Sequence, residues 1–387
     1  QSVDAVLSLT TNDGRLFWMG LRPYGLAYYD RQTGSTSYGS AIPGFGSLPP
    51  KVMGAKIAAT LRRANGELWF ASASYGIIVR YPNGTTRLLN SDNTPFLRDD
   101  YVCTLFEDHR HRVWIGERSG LAVAVNARQG QHLSLSADGQ PITRCDVRGI
   151  TEDHKGTIWV STDDEGIIAI DGNVSPAMAA SHCVQFSPRQ GTMAVNEVTA
   201  CLEDHKHRLW AVSPSGGLFL YDNVQNCFVD KNRTFDIHGD QAYAIAEDKR
   251  GNLWITTEEA LIALHVHDSD NADHLSFTAS DGIEDMLFVP NGIAAYGDSM
   301  YVTGRHGFIS FSPTELTRRK MNGDISPLLV TDLIIDGEPY AVLDSCKRHA
   351  ISAYTPPFTR EITIPHGVRK IGVQVALLSY RSMDQCQ

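Results

Sequence analysis

Residues 202–222 read LEDHKHRLWAVSPSGGLFLYD, and this stretch decides the fold because versions of it recur along the chain. Similar stretches are LFEDHRHRVWIGERSGLAVAVN from Leu105, ITEDHKGTIWVSTDDEGIIAID from Ile150 and IAEDKRGNLWITTEEALIALH from Ile245. Each has Glu-Asp before a polar turn, followed by Trp, a second turn and a second apolar run. A residue's position within the repeated unit therefore says more about its role than its immediate neighbours do.

The spacing of the units narrows the choice of architecture. Tryptophans at positions 18, 69, 114, 159, 210 and 254 are separated by 51, 45, 45, 51 and 44 residues. A seventh unit, DSMYVTGRHGFISFSP, has Tyr301 in the Trp position, 47 residues after the last Trp. A repeat of this length is typical of solenoids, propellers or arrays, and the content of one unit decides between them.

One unit contains short strands rather than helices. Ala242–Ala246 and Leu253–Ile255 are β-rich runs joined by an Asp-x-x-Gly turn, and Leu261–Leu264 is a third run. A less regular fourth run, such as Cys227–Val229, follows in most units. Four strands in about 45 residues indicate a propeller blade. We therefore predict an all-β protein with a seven-bladed β-propeller, in which the Trp side chains fill the core between blades.

Composition agrees with a folded all-β chain and argues against several functions. The 387 residues include 33 glycines and carry a net charge of −10, with no cluster of Lys or Arg, so nucleic-acid binding by phosphate neutralisation is not expected. No apolar run approaches the roughly 20 residues of a membrane span. The seven cysteines contain no Cys-x-x-Cys pair, and we expect buried thiols, with one disulfide left as an alternative.

The His-x-His pairs His109/His111 and His205/His207 resemble metal ligands at first sight. Other units have His154 and Gly156, or Lys249 and Gly251, at the same positions, which favours a hairpin turn. A metal site would need a third protein ligand, and the sequence nominates none. We predict no metal ligand, no cofactor and no catalytic residue.

The repeated unit resembles a known family. The pattern Glu-Asp-x-x-Gly-x-Leu-Trp-Ile-x-Thr, best seen in EDKRGNLWITT and EDHKGTIWVST and followed by GGLFLYD, is similar to the two-component regulator propeller repeat. The segment ASDGIEDMLFVPNGIAAYGDSMYVTGRHGFISFSP is similar to the closing repeat of that family. The resemblance covers about 310 of the 387 residues.

The chain after the propeller resembles a second domain of the same family. SPLLVTDLIIDGEPY, and then EITIPHGVRKIGVQVALLSYRS from Glu361, have the alternation of β-strands. They resemble the opening of the Y_Y_Y domain, an immunoglobulin-like β-sandwich, with Leu378-Ser379-Tyr380 near its tyrosine-bearing strand. We therefore assign residues 1–320 to the propeller and residues 325–387 to a partial sandwich.

The resemblance implies a function for the protein of which this chain is expected to be a piece. Family members are periplasmic sensor regions of hybrid two-component systems in Bacteroidetes-type bacteria, and the chain would be the second propeller plus part of the Y_Y_Y domain. The implied ligand is an oligosaccharide released from a glycan. The implied output is a phosphorelay that controls polysaccharide-utilisation genes. Homodimerisation and membrane attachment would be properties of the parent protein, which would carry a transmembrane helix, a histidine kinase, a receiver and a DNA-binding regulator.

Candidate ligand contacts follow from the offset after each Trp, because the loops between second and third strands share one face of a propeller. Such loops vary while the framework repeats, which is typical of a scaffold that carries a binding site. Pro23, Ser74, Pro214 and Ser215 lie in these loops. The predicted ligand-binding residues are Arg22, Tyr24, Tyr75, Arg118, Asp163, Asp164, Glu165, Glu258, Glu259, Arg305 and His306. Tyrosines could stack on sugar rings, and arginines could pair with uronate or sulfate groups.

Two other classes of function are consistent with a propeller. Streptogramin lyases and lactonases use related propellers as enzymes, with metal or His chemistry in the central channel. The sequence shows no signature of titratable residues that converge there. A protein-interaction scaffold, as in WD-repeat proteins, is the other alternative and would favour a broad hydrophobic or aromatic face.

Overall fold

The computed structural model of the chain describes residues 5–377 apart from 12–13, 138, 143–144, 238–240, 259, 269, 279–280, 282, 284–286, 323–327 and 353–360. The chain divides into two compact units, Gln1–Thr317 and Arg318–Gln387. We describe each unit separately.

The first unit consists of seven antiparallel sheets in chain order. Blades 1 to 3 contain β1 (Ala5–Thr11), β2 (Leu16–Arg22), β3 (Gly25–Asp30), β4 (Ser35–Tyr38), β5 (Ile57–Arg62), β6 (Leu68–Ser72), β7 (Gly76–Arg80), β8 (Thr86–Leu89), β9 (Val102–Glu107), β10 (Val113–Glu117), β11 (Gly120–Asn126) and β12 (Gln129–Leu133). A 3-10 turn (Gly39–Ala41) and the short helix α1 (Pro50–Met53) lie between blades 1 and 2. A hairpin of β13 (Ser136–Ala137) and β14 (Gln140–Pro141) precedes blade 4.

Blades 4 to 6 continue the same order, and helix α2 (Pro176–Ala180) interrupts blade 4. Their strands are β15 (Val147–Glu152), β16 (Thr157–Thr162), β17 (Ile167–Asp171), β18 (Val184–Phe186), β19 (Ala200–Glu203), β20 (Leu209–Ser213), β21 (Gly217–Asp222), β22 (Cys227–Asp230), β23 (Ala242–Glu247), β24 (Leu253–Thr257), β25 (Leu261–Val266) and β26 (Ala272–Phe277). Blade 7 has three strands among the described residues, β27 (Phe288–Tyr296), β28 (Ser299–Gly304) and β29 (Gly307–Phe311), and helix α3 (Pro313–Asn322) follows.

The blades form a closed ring around a channel. The first strand of each blade contacts the first strands of both neighbours, from β1 to β27 and back to β1. At the closure, the ring of Phe17 in blade 1 lies 5.3 Å from that of Tyr301 and 5.7 Å from that of Phe308 in blade 7. The predicted seven-bladed all-β propeller is confirmed, including Tyr301 in the Trp position.

The repeated Trp is a core residue with a fixed polar partner. Trp69, Trp114, Trp210 and Trp254 are fully buried, and Trp159 is nearly so. The indole N–H of Trp210 donates to Asp204 Oδ2 at 2.9 Å, and Trp114, Trp159 and Trp254 make the same bond to Asp108, Asp153 and Asp248. The predicted core position is therefore confirmed for these five Trp residues, whereas Trp18 is half-buried. In blades 3 to 6 the Asp of the turn is tied to the Trp six residues later, and in blade 2 the Trp69 indole donates to Glu67 instead.

The predicted hairpin turns are also confirmed. His111 and His207 have positive φ angles of 61° and 60°, at the turn position that Gly156 and Gly251 occupy in blades 4 and 6. An L-residue with a side chain adopts this conformation less readily than glycine. The second His of each His-x-His pair thus stands where the hairpin needs a left-handed residue.

The second unit contains a three-stranded antiparallel sheet in the order β31, β30, β32. Its elements are β30 (Leu328–Ile335), β31 (Glu338–Pro339), a 3-10 turn (Tyr340–Val342), α4 (Ser345–Ile351) and β32 (Ile371–Leu377). The prediction of strand from Glu361 is wrong up to residue 370, because this segment contains Pro365, which has no N–H to donate, and a turn at Gly367 with φ 105°. Leu378-Ser379-Tyr380 lie outside the described residues.

Two further features bear on function. Cys103, Cys145, Cys183, Cys201 and Cys227 are free thiols. Among the described residues, no helix is both long and apolar enough to cross a membrane.

Candidate functional site

The turns between second and third strands lie at the same end of the propeller as the segments that enter the first strands. The backbone N–H of Arg118 donates to the carbonyl of Tyr101 at 3.1 Å, and that of Asp163 donates to the carbonyl of Asp146 at 3.0 Å. We call this end the loop face. The opposite end carries the Asp-x-x-Gly turns, and we call it the turn face.

The described residues that the sequence predicted as ligand contacts lie in these turns, except Arg22, which is the last residue of β2. They are Arg22, Tyr24, Tyr75, Arg118, Asp163, Asp164, Glu165, Glu258, Arg305 and His306, whereas Glu259 lies outside the described residues. Arg118 lies over the ring of Tyr101, and Lys51 lies over the ring of Tyr75. Glu165 accepts a hydrogen bond from Gln185 on the outer strand β18. The predicted residues are thus distributed around the loop face at six of the seven blades, all except blade 5.

The first strands contain a feature that the sequence analysis missed, a β-bulge at one repeated position. The pairing of first and second strands skips a single residue in five blades. The skipped residues are Leu7, Ala58, Cys103, Arg148 and Tyr243, each eleven positions before the Trp of its blade. A bulge re-aims the side chain of the extra residue. The offset from Trp is the sequence signal that could have found this ring of residues.

Four of the bulge residues line a central cavity of about 290 Å³, namely Leu7, Ala58, Cys103 and Arg148. The wall also includes Lys56, Tyr101 and Thr104. Blade 7 contributes a larger bulge, since Phe288 pairs with Gly304 and the next pair is Ile293 with Val302. Within it, Asn291 adopts φ 57° and donates from Nδ2 to the carbonyl of Arg148 at 2.7 Å. The seventh blade therefore reaches across the channel to the fourth.

Arg148 is the centre of a charged group at the cavity. Its Nε donates to Asp163 Oδ1 at 3.1 Å. Its Nη2 lies 2.9 Å from Asp163 Oδ2 and donates to Asp146 Oδ2 at 3.3 Å. Burial raises the pKa of Asp146 even though the Arg148 charge opposes it. Asp146 and Asp163 share one cation and are not arranged as an independent acid and base.

Cys103 contributes a thiol that is unsuited to nucleophilic chemistry. Its Sγ lies 3.6 Å from Asp146 Oδ1. Burial, with a further contribution from the Asp146 charge, raises the pKa of Cys103 to about 12. Because the thiolate is the reactive form, this side chain is a neutral thiol at pH 7.

Tyr243 is the bulge residue of blade 6. Its hydroxyl donates to Gln241 Oε1 at 2.6 Å. Burial and the charges of Glu258 and Glu197 raise the pKa of Tyr243, so its phenol stays protonated and is available as a hydrogen-bond donor. Glu258, a predicted ligand contact, therefore lies close enough to influence a bulge residue.

The cavity wall combines cationic donors, an amide and one phenol ring in a small volume, and Asp146 and Asp163 lie behind it on Arg148. Lys56 and Arg148 supply charge, Asn291 an amide, and Tyr101 an aromatic surface. Such a set suits a hydroxyl-rich or anionic ligand. The sequence shows no signature of titratable residues at the channel, whereas the structure places Lys56 and Arg148 on the cavity wall. Among the residues predicted as ligand contacts, Asp163 bonds directly to Arg148.

The fold and the cavity define the class of protein, a seven-bladed β-propeller with a polar site at the centre of its loop face. Residues 236–259 match the family described as "Two component regulator propeller". The chain therefore carries the two component regulator propeller repeat, and the resemblance predicted from EDKRGNLWITT is confirmed.

A curated relative and a solved structure, both from two-component systems by their names, are similar to this chain. Histidine kinase P4 from Formosa agariphila is 23% identical over 390 residues, which cover 98% of this chain and 27% of that protein. The extracellular domain of the hybrid two component system BT3049 from B. thetaiotaomicron has a TM-score of 0.65 and 18% identity, with 87% of this chain and 42% of that chain covered. The chain thus spans about a quarter of the kinase and less than half of the solved extracellular domain.

A propeller enzyme has a similar fold. Virginiamycin B lyase from Staphylococcus aureus, solved with quinupristin, has a TM-score of 0.59 and 14% identity, with 79% of this chain and 94% of that chain covered. At this level of identity the likeness shows the fold alone.

Proposed function

We propose that this chain is part of the ligand-sensing region of a hybrid two-component sensor histidine kinase and that it binds a glycan-derived oligosaccharide on the loop face. The observation that carries the proposal is the charged group formed by Arg148, Asp146 and Asp163 at a cavity in the centre of that face. The propeller repeat and the kinase relative support the sensor assignment.

The size of the cavity suggests how such a ligand would bind. Its volume of about 290 Å³ lies at the lower end of the range of about 300–1,000 Å³ that is usual for small-molecule sites. One sugar residue would enter the cavity beside Arg148, and the rest of the chain would extend over the turns. There Tyr24 and Tyr75 would stack on sugar rings, and Arg22, Arg118 and Arg305 would bind acidic substituents.

The remaining parts of the proposal concern the whole protein. The sensing region would be periplasmic, and the second unit, as the start of a Y_Y_Y sandwich, would pass the ligand signal toward the membrane. A homodimer of the parent protein would then drive the phosphorelay that controls polysaccharide-utilisation genes. Dimerisation and the phosphorelay would reside outside this chain, in parts of the parent protein that correspond to the 73% of the kinase relative not covered, by difference from the 27% covered.

Calorimetry of the purified chain against a panel of neutral, uronate-containing and sulfated oligosaccharides tests the proposal. Lys56→Ala should weaken binding of any ligand in the cavity. Arg118→Ala and Arg305→Ala should each weaken an acidic saccharide by about 1.5–3 kcal/mol, the value of a hydrogen bond to a charged group. Arg128→Ala is the matched control, because Arg128 lies in the β11–β12 turn at the opposite end of the blade from Arg118.

Three results would contradict the proposal. If no saccharide binds while the chain eliminates or hydrolyses a substrate, the channel belongs to an enzyme of the lyase or lactonase type. If a saccharide binds and all three variants retain full affinity, the ligand lies away from the loop face. Capture of a protein partner on the loop face without any saccharide binding would indicate an interaction scaffold.

A further inference from the structure

A second cluster of functional side chains lies on the turn face, at the boundary between blades 4 and 5. His154 Nδ1 lies 2.5 Å from Glu203 Oε1, and His207 Nδ1 lies 3.8 Å from Glu203 Oε2. The two imidazole rings are 4.0 Å apart, centre to centre. One ligand atom from each of the three residues can be chosen so that all lie within 4.8 Å of one another.

The repeat explains why the cluster forms here. Blades 2 to 6 meet at four boundaries, and the same hydrogen bond crosses each of them. The residue that follows the turn Asp, or Arg63 at that position in blade 2, donates its backbone N–H to the Glu of the next blade. That Glu also faces the left-handed turn residue of its own blade. The successive combinations are Ala64, Glu107 and His111; His109, Glu152 and Gly156; His154, Glu203 and His207; His205, Glu247 and Gly251. Among these four boundaries, the one between blades 4 and 5 has histidine on both sides of the carboxylate.

We propose that His154, His207 and Glu203 form a binding site for a divalent transition metal ion, with Zn²⁺ as the best-suited ion. Two imidazole nitrogens and one carboxylate oxygen are a usual set of protein ligands for Zn²⁺, and water can complete a tetrahedron. Ligand atoms about 2.0–2.1 Å from a tetrahedral ion are roughly 3.3–3.5 Å apart. The observed separations of 2.5 and 3.8 Å run to the two different oxygens of Glu203, and one ligand atom from each residue lies within 4.8 Å of the others, so the side chains would rotate to close around an ion.

The backbone around the site orients these ligands. The N–H of His154 donates to Glu203 Oε2 at 2.6 Å and so fixes the carboxylate. The N–H of His207 donates to the carbonyl of Asp204 at 2.8 Å and holds the turn that presents the imidazole. Hydrogen bonds of this kind restrict the orientation of metal ligands. Because both histidines are exposed, an ion can enter from solvent.

Metal binding would join two blades that are otherwise linked here by one His–Glu pair. Because imidazole binds a metal ion only in its neutral form, binding at such a site would weaken as the pH falls. An ion that binds the folded chain would also raise its melting temperature. The site is on the face opposite the proposed saccharide site and does not depend on it.

Titration of the tag-free chain with Zn²⁺, and with Co²⁺ as a spectroscopic probe, tests the proposal. We expect one equivalent to bind in the micromolar range or tighter, with the visible absorption of four-coordinate Co²⁺ and no thiolate charge-transfer band. His207→Gly should reduce the affinity at least tenfold. This variant preserves the turn, because glycine occupies the same position with positive φ in blades 4 and 6. His154→Gln should have a similar effect.

Matched controls come from the neighbouring blades. His111→Gly changes the same turn position in blade 3, where the carboxylate of Glu107 faces Ala64 in place of a second histidine. His109→Gln changes the residue equivalent to His154 where the facing residue is Gly156. Both controls should bind Zn²⁺ like the wild-type chain. The proposal is overturned if the chain binds no stoichiometric metal, if His207→Gly and His154→Gln bind normally, or if Co²⁺ shows thiolate ligation.

Discussion

Asn291 in blade 7 donates its side-chain amide to the backbone carbonyl of Arg148 in blade 4, across the central channel, at 2.7 Å. The two residues are 143 positions apart in the chain, and both belong to bulges that leave the regular pairing of their first strands. The bond holds blade 7 to the backbone of the residue whose guanidinium binds Asp163. The same contact therefore links the ring and shapes the candidate binding site.

Asn291→Gly should lower the free energy of unfolding by about 0.5–1.5 kcal/mol, the net value of one such hydrogen bond. Glycine is the appropriate replacement because φ is 57° at this position, so the backbone is not strained by the change. Urea denaturation measures the difference. Asn226→Gly is the comparison, since Asn226 also has positive φ, 53°, and accepts one side-chain hydrogen bond, from the Tyr221 hydroxyl, on an exposed turn. An unchanged free energy of unfolding in Asn291→Gly would show that the cross-channel bond contributes nothing.

Asp204→Asn should destabilise the propeller by on the order of 1–3 kcal/mol near neutral pH, because a buried charged acceptor is removed from the Trp210 indole and from Arg208. Burial alone would raise the pKa of Asp204, but the hydrogen bonds from Trp210 and Arg208 outweigh it and lower the pKa below its usual range.

The sign of the pH dependence follows from this lowered pKa. The stabilisation by Asp204 is present above the unfolded pKa of about 3.9 and is lost as the pH falls through the lower folded value. Chemical denaturation between pH 7 and pH 3 should therefore show the wild-type and variant curves converging in acid. Asp92→Asn, at an exposed position, should leave the wild-type curve unchanged. A constant difference between wild type and Asp204→Asn at all pH values would contradict the assignment.

Glu117→Gln should have the opposite pH dependence. Glu117 is fully buried in β10, and burial raises its pKa to about 7, with the charge of Asp99 adding to the effect. A raised carboxyl pKa gives stability that is fully present below the unfolded value and is lost as the pH rises through 7. The wild-type chain should lose on the order of 2 kcal/mol relative to Glu117→Gln between pH 5 and pH 8. Parallel denaturation curves would contradict this, and Glu338→Gln, at an exposed strand, is the control.

Cys103 should react slowly with iodoacetamide in the native chain. With a pKa of about 12, its thiolate fraction at pH 8 is roughly a thousandfold smaller than that of an ordinary thiol. Cys103 and Cys227 are both partly exposed, so mass spectrometry of peptides after timed alkylation should find Cys103, with its raised pKa, modified well after Cys227. In denaturant the two should react alike. Rapid native alkylation of Cys103 would show that its thiol is activated and would reopen the question of chemistry in the channel.

The sequence predicted the parts of the structure that depend on local repetition. The Asp-x-x-Gly turn, the Trp of the second strand and the substitution of Tyr301 for Trp were readable because each follows from residues close together in the chain. The second unit was predicted less well, because apolar alternation from Glu361 indicated a strand where Pro365 and Gly367 prevent one.

By itself, the sequence determined the number of blades, their four-stranded pattern and the face that carries the variable turns, since a repeated unit must bury the same apolar side chains each time. It could not determine which residues meet between blades. Arg148 and Asn291 come together because bulges turn them into the channel, and His154 meets His207 because adjacent blades pack side by side. Register between strands and packing between blades bring together side chains that are far apart in the chain, and only the tertiary structure specifies them.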